Sequence, residues 1–280
     1  SKGNSSKNTR NRTLALLETR GLSKSFGGLK AVSGVDLKVQ PGTVHGLIGP
    51  NGSGKSTFFN LVTGVYQPDP GSHIEFDGNV ITNLQAHGIA ALGMARTFQL
   101  LRLFLEMTVL ENVMVGNHCK TSYGIVESLL GTSRVRQADQ KMKEEMLDLL
   151  EFIGLANFAD IPAGELSGGQ RRLLALGRAI AMKPKLLLLD EPGAGLSPVN
   201  VDKLMETILA LKERYKLKVV VVEHILKVVM GTCETISVLD HGQKIAEGPP
   251  EMIKNDHAVV EAYLGRELPD EEIRNTIRGQ

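Results

Sequence analysis

One stretch of the chain limits its possible folds more than any other. Residues 49–57 read Gly-Pro-Asn-Gly-Ser-Gly-Lys-Ser-Thr, after an apolar run at 44–48 and before Phe58 and Phe59. The predicted order is therefore a strand, a glycine-rich loop and a helix, which is the context of a loop that binds phosphate groups. Glycine suits this loop because a Cβ would obstruct either the required dihedral angles or the approaching phosphate. The alternative is a glycine-rich turn with an exposed lysine, which the length of the match disfavours.

The residue types of this loop predict how it holds a nucleoside triphosphate. The helix that begins near Lys55 adds the positive end of its dipole to the inward-facing N–H groups. Lys55 is expected to reach the β- and γ-phosphates, and the hydroxyl of Ser56 to bind Mg²⁺. The predicted nucleotide-binding residues of the loop are Gly49, Pro50, Asn51, Gly52, Ser53, Gly54, Lys55, Ser56 and Thr57.

Composition narrows the class of protein around this loop. The 280 residues favour one large domain or two intimate lobes, and a net charge of +1 gives no general attraction to nucleic acid or to an anionic membrane. Cys119 and Cys233 have no metal-like spacing, so we expect buried thiols in a reducing compartment. No apolar run approaches the roughly 20 residues that span a bilayer. The polar start of the chain shows no secretory signal.

Hydrophobic patterns divide the rest of the chain into strand-rich and helix-rich parts. Alternating residues around Asp77 and Gly78 predict an antiparallel hairpin beside the nucleotide fold. From about residue 100 to 184 the apolar spacing becomes helical, with Gly154 as a C-cap, which predicts an inserted helical lobe. We therefore expect a disordered tail at 1–12, a nucleotide-binding domain at 13–265 that contains this lobe, and a C-terminal tail at 266–280. One predicted core face of the lobe consists of Met142, Met146, Leu149, Leu150 and Ile153.

A second short motif opens a helix inside the helical lobe. Residues 166–170 read Leu-Ser-Gly-Gly-Gln and precede a helical run. The N-terminus of a helix attracts anions by the same dipole and N–H argument as the first loop. The chain offers only one nucleotide fold to fill it, so Ser167, Gly168, Gly169 and Gln170 would serve a nucleotide held by another copy. The alternative is an ordinary capped helix with Ser167 as its N-cap.

Two acidic residues follow the most apolar stretch of the chain. Four leucines at 186–189 precede Asp190 and Glu191, which describes a strand that is buried on both faces and ends at the carboxyl edge of a parallel sheet. At that edge Asp190 is suited to hold Mg²⁺ through its water shell, and Glu191 to orient and deprotonate an attacking water. An ordinary solvated loop is the alternative, which the leucine run and the glycine-rich loop together disfavour.

His224 and Phe26 are candidate contacts for the two ends of a nucleotide. His224 follows the next buried strand, at 216–222, where it can meet the γ-phosphate. Phe26 stands in a predicted loop upstream of the glycine-rich stretch. Its ring could stack on an adenine or fill the edge of a sheet, and the spacing does not decide between the two.

Taken together, these motifs resemble a known family. Residues 49–57, Gln99, residues 166–170, Asp190 with Glu191, and His224 occur in the order and spacing of the ATP-binding cassette of ABC transporters. The resemblance covers residues 13–264. It implies an α/β fold: a P-loop NTPase (RecA-like) core with an antiparallel β subdomain and an inserted α-helical subdomain. It also implies an ATPase that uses ATP and Mg²⁺.

The resemblance assigns a role to each motif. Phe26 resembles the adenine-stacking aromatic, and Gln99 the residue whose amide joins the metal and the attacking water. Ser167 to Gln170 resemble the motif that closes over the ATP of the opposing subunit, so that two ATP molecules lie between two cassettes. Glu191 resembles the catalytic base and His224 the γ-phosphate switch. The predicted catalytic residues are Lys55, Gln99, Glu191 and His224, and the predicted metal ligands are Ser56, Gln99 and Asp190.

A narrower resemblance points to a class of importers. The stretches at 95–99, 102–104, 107–113 and 261–265 are similar to the ATP-binding subunits of importers for branched-chain amino acids and for related amide or urea substrates. This implies a partner cassette, identical or different, polytopic permease subunits and, indirectly, a substrate-binding protein, but no nucleic acid. It also implies a peripheral position at the cytoplasmic face of the membrane, through the permease subunits.

Three alternatives differ in class from an amino-acid importer. A cassette that acts on DNA or ribosomes would carry sustained heptads or a basic stripe, and neither is visible. A non-hydrolysing regulator would be expected to lose Glu191 or His224, and both are present. An exporter subunit or a lipid-handling cassette remains open, because the substrate and the direction of transport are set mostly by other chains.

Overall fold

A computed structural model of the chain describes residues 15–97, 103–118 and 133–264. The described strands are β1 (Leu17–Phe26), β2 (Leu29–Val39), β3 (Val44–Ile48), β4 (His73–Phe76), β5 (Asn79–Val80), β6 (Met94–Thr97), β7 (Leu186–Asp190), β8 (Lys218–Val222), β9 (Thr235–Asp240) and β10 (Gln243–Gly248). The described α-helices are α1 (Lys55–Val62), α2 (Ala86–Ala91), α3 (Val109–His118), α4 (Ser133–Phe152), α5 (Gly168–Ala181), α6 (Pro198–Tyr215), α7 (Leu226–Thr232), α8 (Pro250–Lys254) and α9 (His257–Leu264).

These elements form two sheets of different character. A six-stranded sheet has the order β10-β9-β3-β8-β7-β6, in which β9, β3, β8, β7 and β6 are parallel and β10 is antiparallel to β9. A four-stranded antiparallel sheet has the order β2-β1-β4-β5. Its β4–β5 turn is the predicted hairpin, in which Asp77 and Gly78 have φ angles of +48° and +76°. Positive φ at both turn residues matches the twist of the flanking strands.

The central strands are buried because their side chains are apolar on both faces. Leu186 to Leu188 are 0% exposed and Leu189 is 1% exposed, as predicted for a strand covered on both sides. Asp190 pairs with Val222 of β8, and Leu47 of β3 pairs with the same residue. The carboxyl ends of β3, β8 and β7 therefore lie side by side.

Helices occupy the described part of the chain between β6 and β7. The predicted core face of α4 is confirmed, since Met142, Met146, Leu149, Leu150 and Ile153 are all buried. Gly154 has φ +75° and ends the helix as predicted. Its N–H donates to Glu151 O at 3.0 Å and the N–H of Leu155 donates to Leu150 O at 2.7 Å, the hydrogen-bond pair of a Schellman cap.

One local prediction was wrong. Phe26 is the last residue of strand β1, not a loop residue, because Gly27 (φ +57°) closes a hairpin in which Phe26 pairs with Leu29. The helical residues near the C-terminus form two helices, α8 and α9, because Asp256 Oδ1 accepts the N–H groups of Ala258 (2.9 Å) and Val259 (3.2 Å) and so starts a new helix. None of the helices in the described residues is long and apolar enough to span a membrane. The predicted domain boundaries stay predictions.

A buried polar chain links β3, β9 and β10. His45 is 1% exposed, with Nε2 at 3.0 Å from Ser237 Oγ. The Ser237 hydroxyl donates to Glu247 Oε2 at 2.8 Å, so its oxygen accepts from His45, which is then the neutral tautomer protonated on Nε2. Burial lowers the pKa of His45 to about 4. The fold therefore holds this imidazole neutral.

Acid should destabilise the protein through His45. The unfolded chain binds the proton near pH 6.5 and the folded chain only near pH 4, so the stability present above pH 6.5 is lost as the pH falls through this window. Complete protonation would cost about 3 kcal/mol. Urea unfolding at pH 7.5 and pH 5.0 should show a smaller pH-dependent loss for His45→Gln, whose amide can still donate to Ser237, than for the wild type.

The exposed His87 provides the control. His87→Gln should lose as much stability as the wild type between the two pH values. Equal losses in His45→Gln and the wild type would contradict the assignment of a neutral buried imidazole.

Candidate functional site

The glycine-rich loop packs closely against two strands of the core. Gly49 has φ +151°, and a Cβ there would lie 2.1 Å from Leu239 O and 2.6 Å from Ser53 Oγ. Gly54 has φ +103°, and a Cβ there would lie 2.4 Å from Ala31 O. These separations are shorter than Cβ atoms show in real structures, so the packing of the loop against the rest of the protein requires glycine at both positions. Gly49 and Gly54 therefore have the dihedral angles and the close contacts that the sequence predicts for glycine in this loop.

Lys55 places a buried ammonium group at the base of this loop. Its side chain is 6% exposed, and Nζ donates to Gly49 O at 2.7 Å and Pro50 O at 2.9 Å. Burial lowers the pKa of Lys55, and the charges of Glu191 and Asp190 oppose this effect. Helix α1 begins at Lys55 with no acidic residue in its first turn. The ammonium group and the helix N-terminus together make this end of the sheet attractive to phosphate.

Glu191 and His224 meet at the ends of two neighbouring strands. His224 Nδ1 lies 4.0 Å from Glu191 Oε2, and their side chains are 51% and 21% exposed. The N–H of Glu191 donates to Val222 O at 2.9 Å. Glu191 has φ +47°, a left-handed conformation that is uncommon for a glutamate. The structure thus brings these two predicted catalytic residues together.

Arg96 is a member of this site that the sequence analysis did not single out. Its Nη2 donates to Asp190 Oδ2 at 2.6 Å, its Nη1 donates to Asn60 Oδ1 at 2.7 Å, and its guanidinium lies 5.5 Å from the Phe59 ring centre. The Arg96 and Asp190 side chains are only 8% and 9% exposed. This arginine therefore ties helix α1 to the end of β7. No local sequence signal marks Arg96, because its approach to Asp190 depends on the strand register, which pairs Arg96 with Leu188.

Glu223 is the second residue that was missed. It is 0% exposed, and it follows the four valines of β8 directly. Its carboxylate accepts hydrogen bonds from the N–H groups of Gly193 (2.5 Å), His224 (3.1 Å) and Ile225 (3.3 Å). Burial raises the pKa of Glu223, and the backbone donors oppose that effect. An acid between a valine run and a histidine was the visible signal.

The motif at 166–170 forms a capped helix start on the surface. Ser167 Oγ accepts the N–H of Gln170 at 3.4 Å, and Gln170 Oε1 accepts the N–H of Ser167 at 2.9 Å, which makes a capping box. Ser167, Gly168 and Gly169 are exposed. The predicted N-cap is therefore present, and the exposed helix start remains accessible to a second subunit.

A cavity of about 640 Å³ lies between this helix start and the end of β7. Ser167, Gly169 and Gln170 line one part, and Asp190 and Glu191 line another. Among the described lining residues, none comes from the glycine-rich loop. Within one chain the motif at 166–170 thus shares a cavity with the two acids, while the phosphate loop lies outside it.

The remaining predicted residues keep their roles as predictions. Phe26 is 43% exposed and makes an edge contact with Tyr66, with 5.4 Å between ring centres, which is compatible with both of its alternatives. Ser56 is exposed at the start of α1, and Asn51 and Gly52 are exposed in the loop. Gln99 lies outside the described residues, and so does Cys119. Cys233 is buried, as expected.

Comparisons with known proteins agree with this geometry. A family model described as "ABC transporter" matches residues 32–194, which is more than half of the chain. A second model, described as "Branched-chain amino acid ATP-binding cassette transporter", matches residues 243–268. The high-affinity branched-chain amino acid transport ATP-binding protein BraF of Pseudomonas aeruginosa is 42% identical over 250 residues, which are 89% of this chain and 98% of BraF.

Solved structures show the same fold. The crystal structure of the ADP conformation of MJ1267, an ATP-binding cassette of an ABC transporter, has a TM-score of 0.78 at 36% identity and covers 91% of this chain and 100% of that chain. The dimeric structure of MJ0796, a bacterial ABC transporter cassette, has a TM-score of 0.70 at 26% identity and covers 84% and 98%. The predicted fold class and the predicted enzyme class, an ATPase, are confirmed. With a nucleotide loop, two acids and a histidine on one sheet edge, the chain belongs to the ABC transporter family as one of its ATP-binding cassettes.

Proposed function

We propose that this chain hydrolyses ATP with Mg²⁺ to energise an importer of branched-chain or related amino acids. The observation that carries the mechanism is the edge of the parallel sheet, where Lys55, Asp190, Glu191 and His224 lie at or just beyond the carboxyl ends of three adjacent strands. The substrate class rests on the C-terminal match and on the transport function named for BraF.

The side chains at this edge have different proposed roles, which follow from their charge. The Lys55 ammonium and the α1 N-terminus hold the β- and γ-phosphates and offset their negative charge. The Glu191 carboxylate takes the proton of the water that attacks the γ-phosphate. His224, whose Nδ1 lies 4.0 Å from Glu191 Oε2, would donate a hydrogen bond to a γ-phosphate oxygen. The rate gain comes chiefly from positioning and from stabilisation of charge.

The oxygen donors near Lys55 fit a magnesium ion. Mg²⁺ takes one or two protein oxygens and completes its shell with water and phosphate oxygens. The Ser56 hydroxyl is a donor of this kind, and Gln99 is another predicted ligand. Asp190, whose Oδ2 accepts from Arg96 at 2.6 Å, would hold the ion through its water shell. In the described part of the chain no group of three or more His, Cys, Asp and Glu side chains could hold a metal. The ion would neutralise charge on the phosphate oxygens.

The proposed partners follow from the exposed helix start at 166–170. Two cassettes would close with Ser167 to Gln170 of each over the ATP of the other, and a dimer is the state named for MJ0796. Closure would act on polytopic permease subunits, which would hold the cassettes at the cytoplasmic face of the membrane and would receive the amino acid from a binding protein.

Glu191→Gln should stop turnover without preventing ATP binding. The amide keeps the size of the side chain but cannot accept the water proton, so kcat should fall by about 100-fold or more. Affinity for a fluorescent ATP analogue should stay within a few-fold, and Mg·ATP should shift the variant to a dimer in size-exclusion chromatography. Glu251→Gln, an exposed change on α8, should behave as the wild type. Near-normal turnover by purified Glu191→Gln would contradict the role of Glu191.

Ser167→Asp separates the role of the helix start in ATP binding from its role as a cap. Aspartate is as good an N-cap as serine, so the thermal midpoint should stay unchanged. Its negative charge would repel the phosphates of the opposing ATP, so ATP-dependent dimerisation and turnover should be lost. Full turnover by Ser167→Asp would leave Ser167 as a structural cap alone.

A mixture of two inactive variants tests whether the site is shared between copies. Lys55→Ala and Ser167→Asp should each be inactive as homodimers. In a mixed dimer one site carries both changes and the other carries neither, so a one-to-one mixture should regain about a quarter of wild-type turnover, because half of the dimers are mixed and half of their sites are intact. No recovery, with a wild type that dimerises on ATP, would contradict two shared sites.

The import proposal needs the partner chains. Co-expressed with the permease subunits encoded beside it and placed in vesicles, the cassette should hydrolyse ATP several-fold faster when a binding protein loaded with leucine is added. The same binding protein without its amino acid is the control. If the neighbouring genes encode no permease and no binding protein, the importer proposal is wrong.

A further inference from the structure

Glu223 is a fully buried carboxylate that takes no part in the chemistry proposed above. Each of its two oxygens faces a different loop. Oε1 accepts the N–H of Gly193 at 2.5 Å, in the loop that follows β7. Oε2 accepts the N–H groups of His224 at 3.1 Å and Ile225 at 3.3 Å, in the loop that follows β8. One side chain therefore joins the two loops.

These loops carry the two groups proposed to act on the γ-phosphate. Gly193 lies in the turn that starts at Glu191, in which the N–H of Ala194 donates to Glu191 O at 3.1 Å. His224 Nδ1 lies 3.8 Å from Glu223 Oε2 and 4.0 Å from Glu191 Oε2, so its ring is close to both carboxylates. A shift of either loop relative to the other would change the distance between base and histidine.

The space around Glu223 is tight on the side of Gly193. A Cβ on Gly193 would lie 2.7 Å from Glu223 Oε1 and 2.9 Å from the Ile225 side chain. A glycine at 193 thus lets its backbone approach the buried carboxylate. A buried carboxylate is costly unless its oxygens are hydrogen-bonded, and here three N–H groups bond to it.

We propose that Glu223 is a positioning residue for ATP hydrolysis: it sets the separation of Glu191 and His224 by binding both of their loops. The proposal rests on the roles of Glu191 and His224 given above. It predicts that loss of one acceptor oxygen slows the chemical step and leaves nucleotide binding at the glycine-rich loop intact, because the carboxylate of Glu223 accepts its hydrogen bonds from the loops that follow β7 and β8.

Glu223→Gln removes one acceptor without changing the size of the side chain. Its single carbonyl oxygen can serve Gly193 or the His224–Ile225 pair, while its NH₂ group faces a backbone donor on the other side. We expect kcat, divided by the number of sites that bind a fluorescent ATP analogue, to fall about 10- to 100-fold. KM for ATP and affinity for the analogue should stay within about threefold. Counting bound sites removes any contribution from unfolded protein.

Gly193→Ala disturbs the same contact from the opposite side. Its Cβ would displace Glu223 Oε1, so kcat per bound site should fall with KM unchanged. The double variant should be little slower than the slower single variant, since both changes remove one interaction. Glu234→Gln is the matched control: Glu234 Oε2 accepts the N–H of Val44 at 2.6 Å, where β3 begins, and its loss should not lower kcat per bound site.

The outcomes separate this inference from the proposed function. If Glu191→Gln abolishes turnover but Glu223→Gln and Gly193→Ala keep wild-type kcat per bound site, the positioning role is wrong and the hydrolysis proposal stands. Loss of analogue binding in either variant would also overturn it, because the phosphate loop should be unaffected. If Glu191→Gln keeps its turnover, the proposed role of Glu191 fails, and the premise of the positioning role fails with it.

Discussion

The structure depends on the register of three parallel strands. β3, β8 and β7 are bound edge to edge with Val222 opposite both Leu47 and Asp190. Because all three strands run in the same direction, the residues that follow them come out in one row. The strand register alone therefore makes neighbours of the glycine-rich loop, the Glu223–His224 pair and Glu191. Burial of leucine and valine on both faces fixes the row, since these strands have no solvent face.

Several charged side chains lie along this row, and each is bound by a partner that lowers the cost of its burial. The Asp190 carboxylate is bound by Arg96, and the Lys55 ammonium lies among loop carbonyls. Glu223 is held by backbone N–H groups instead of a cation. These partners matter because a buried charge without a partner raises the free energy of the folded protein. Charged groups that are already held in place also need not reorganise during the reaction.

The features that could be predicted from the sequence are those determined by residues close together in the chain. The loop at 49–57, the leucine strand and the α4 core face each follow from adjacent residues or a fixed period, and the structure has all three. Arg96 and Glu223 have partners 94 and 30 residues away, so their roles depend on strand register and not on spacing. The prediction that Phe26 lies in a loop was wrong for a related reason: Phe26 is a strand residue only because β2 returns to pair with it.

The left-handed backbone at Glu191 sets stability against activity. A φ of +47° is energetically unfavourable for glutamate. Glycine adopts this conformation without strain, and asparagine adopts it with less strain than glutamate. Replacement of Glu191 by either residue would therefore relieve strain in the fold and remove the only carboxylate proposed to accept the water proton. Selection of this cassette for heat resistance alone would favour the loss of its catalysis at this position, and only simultaneous selection for turnover would retain the acid.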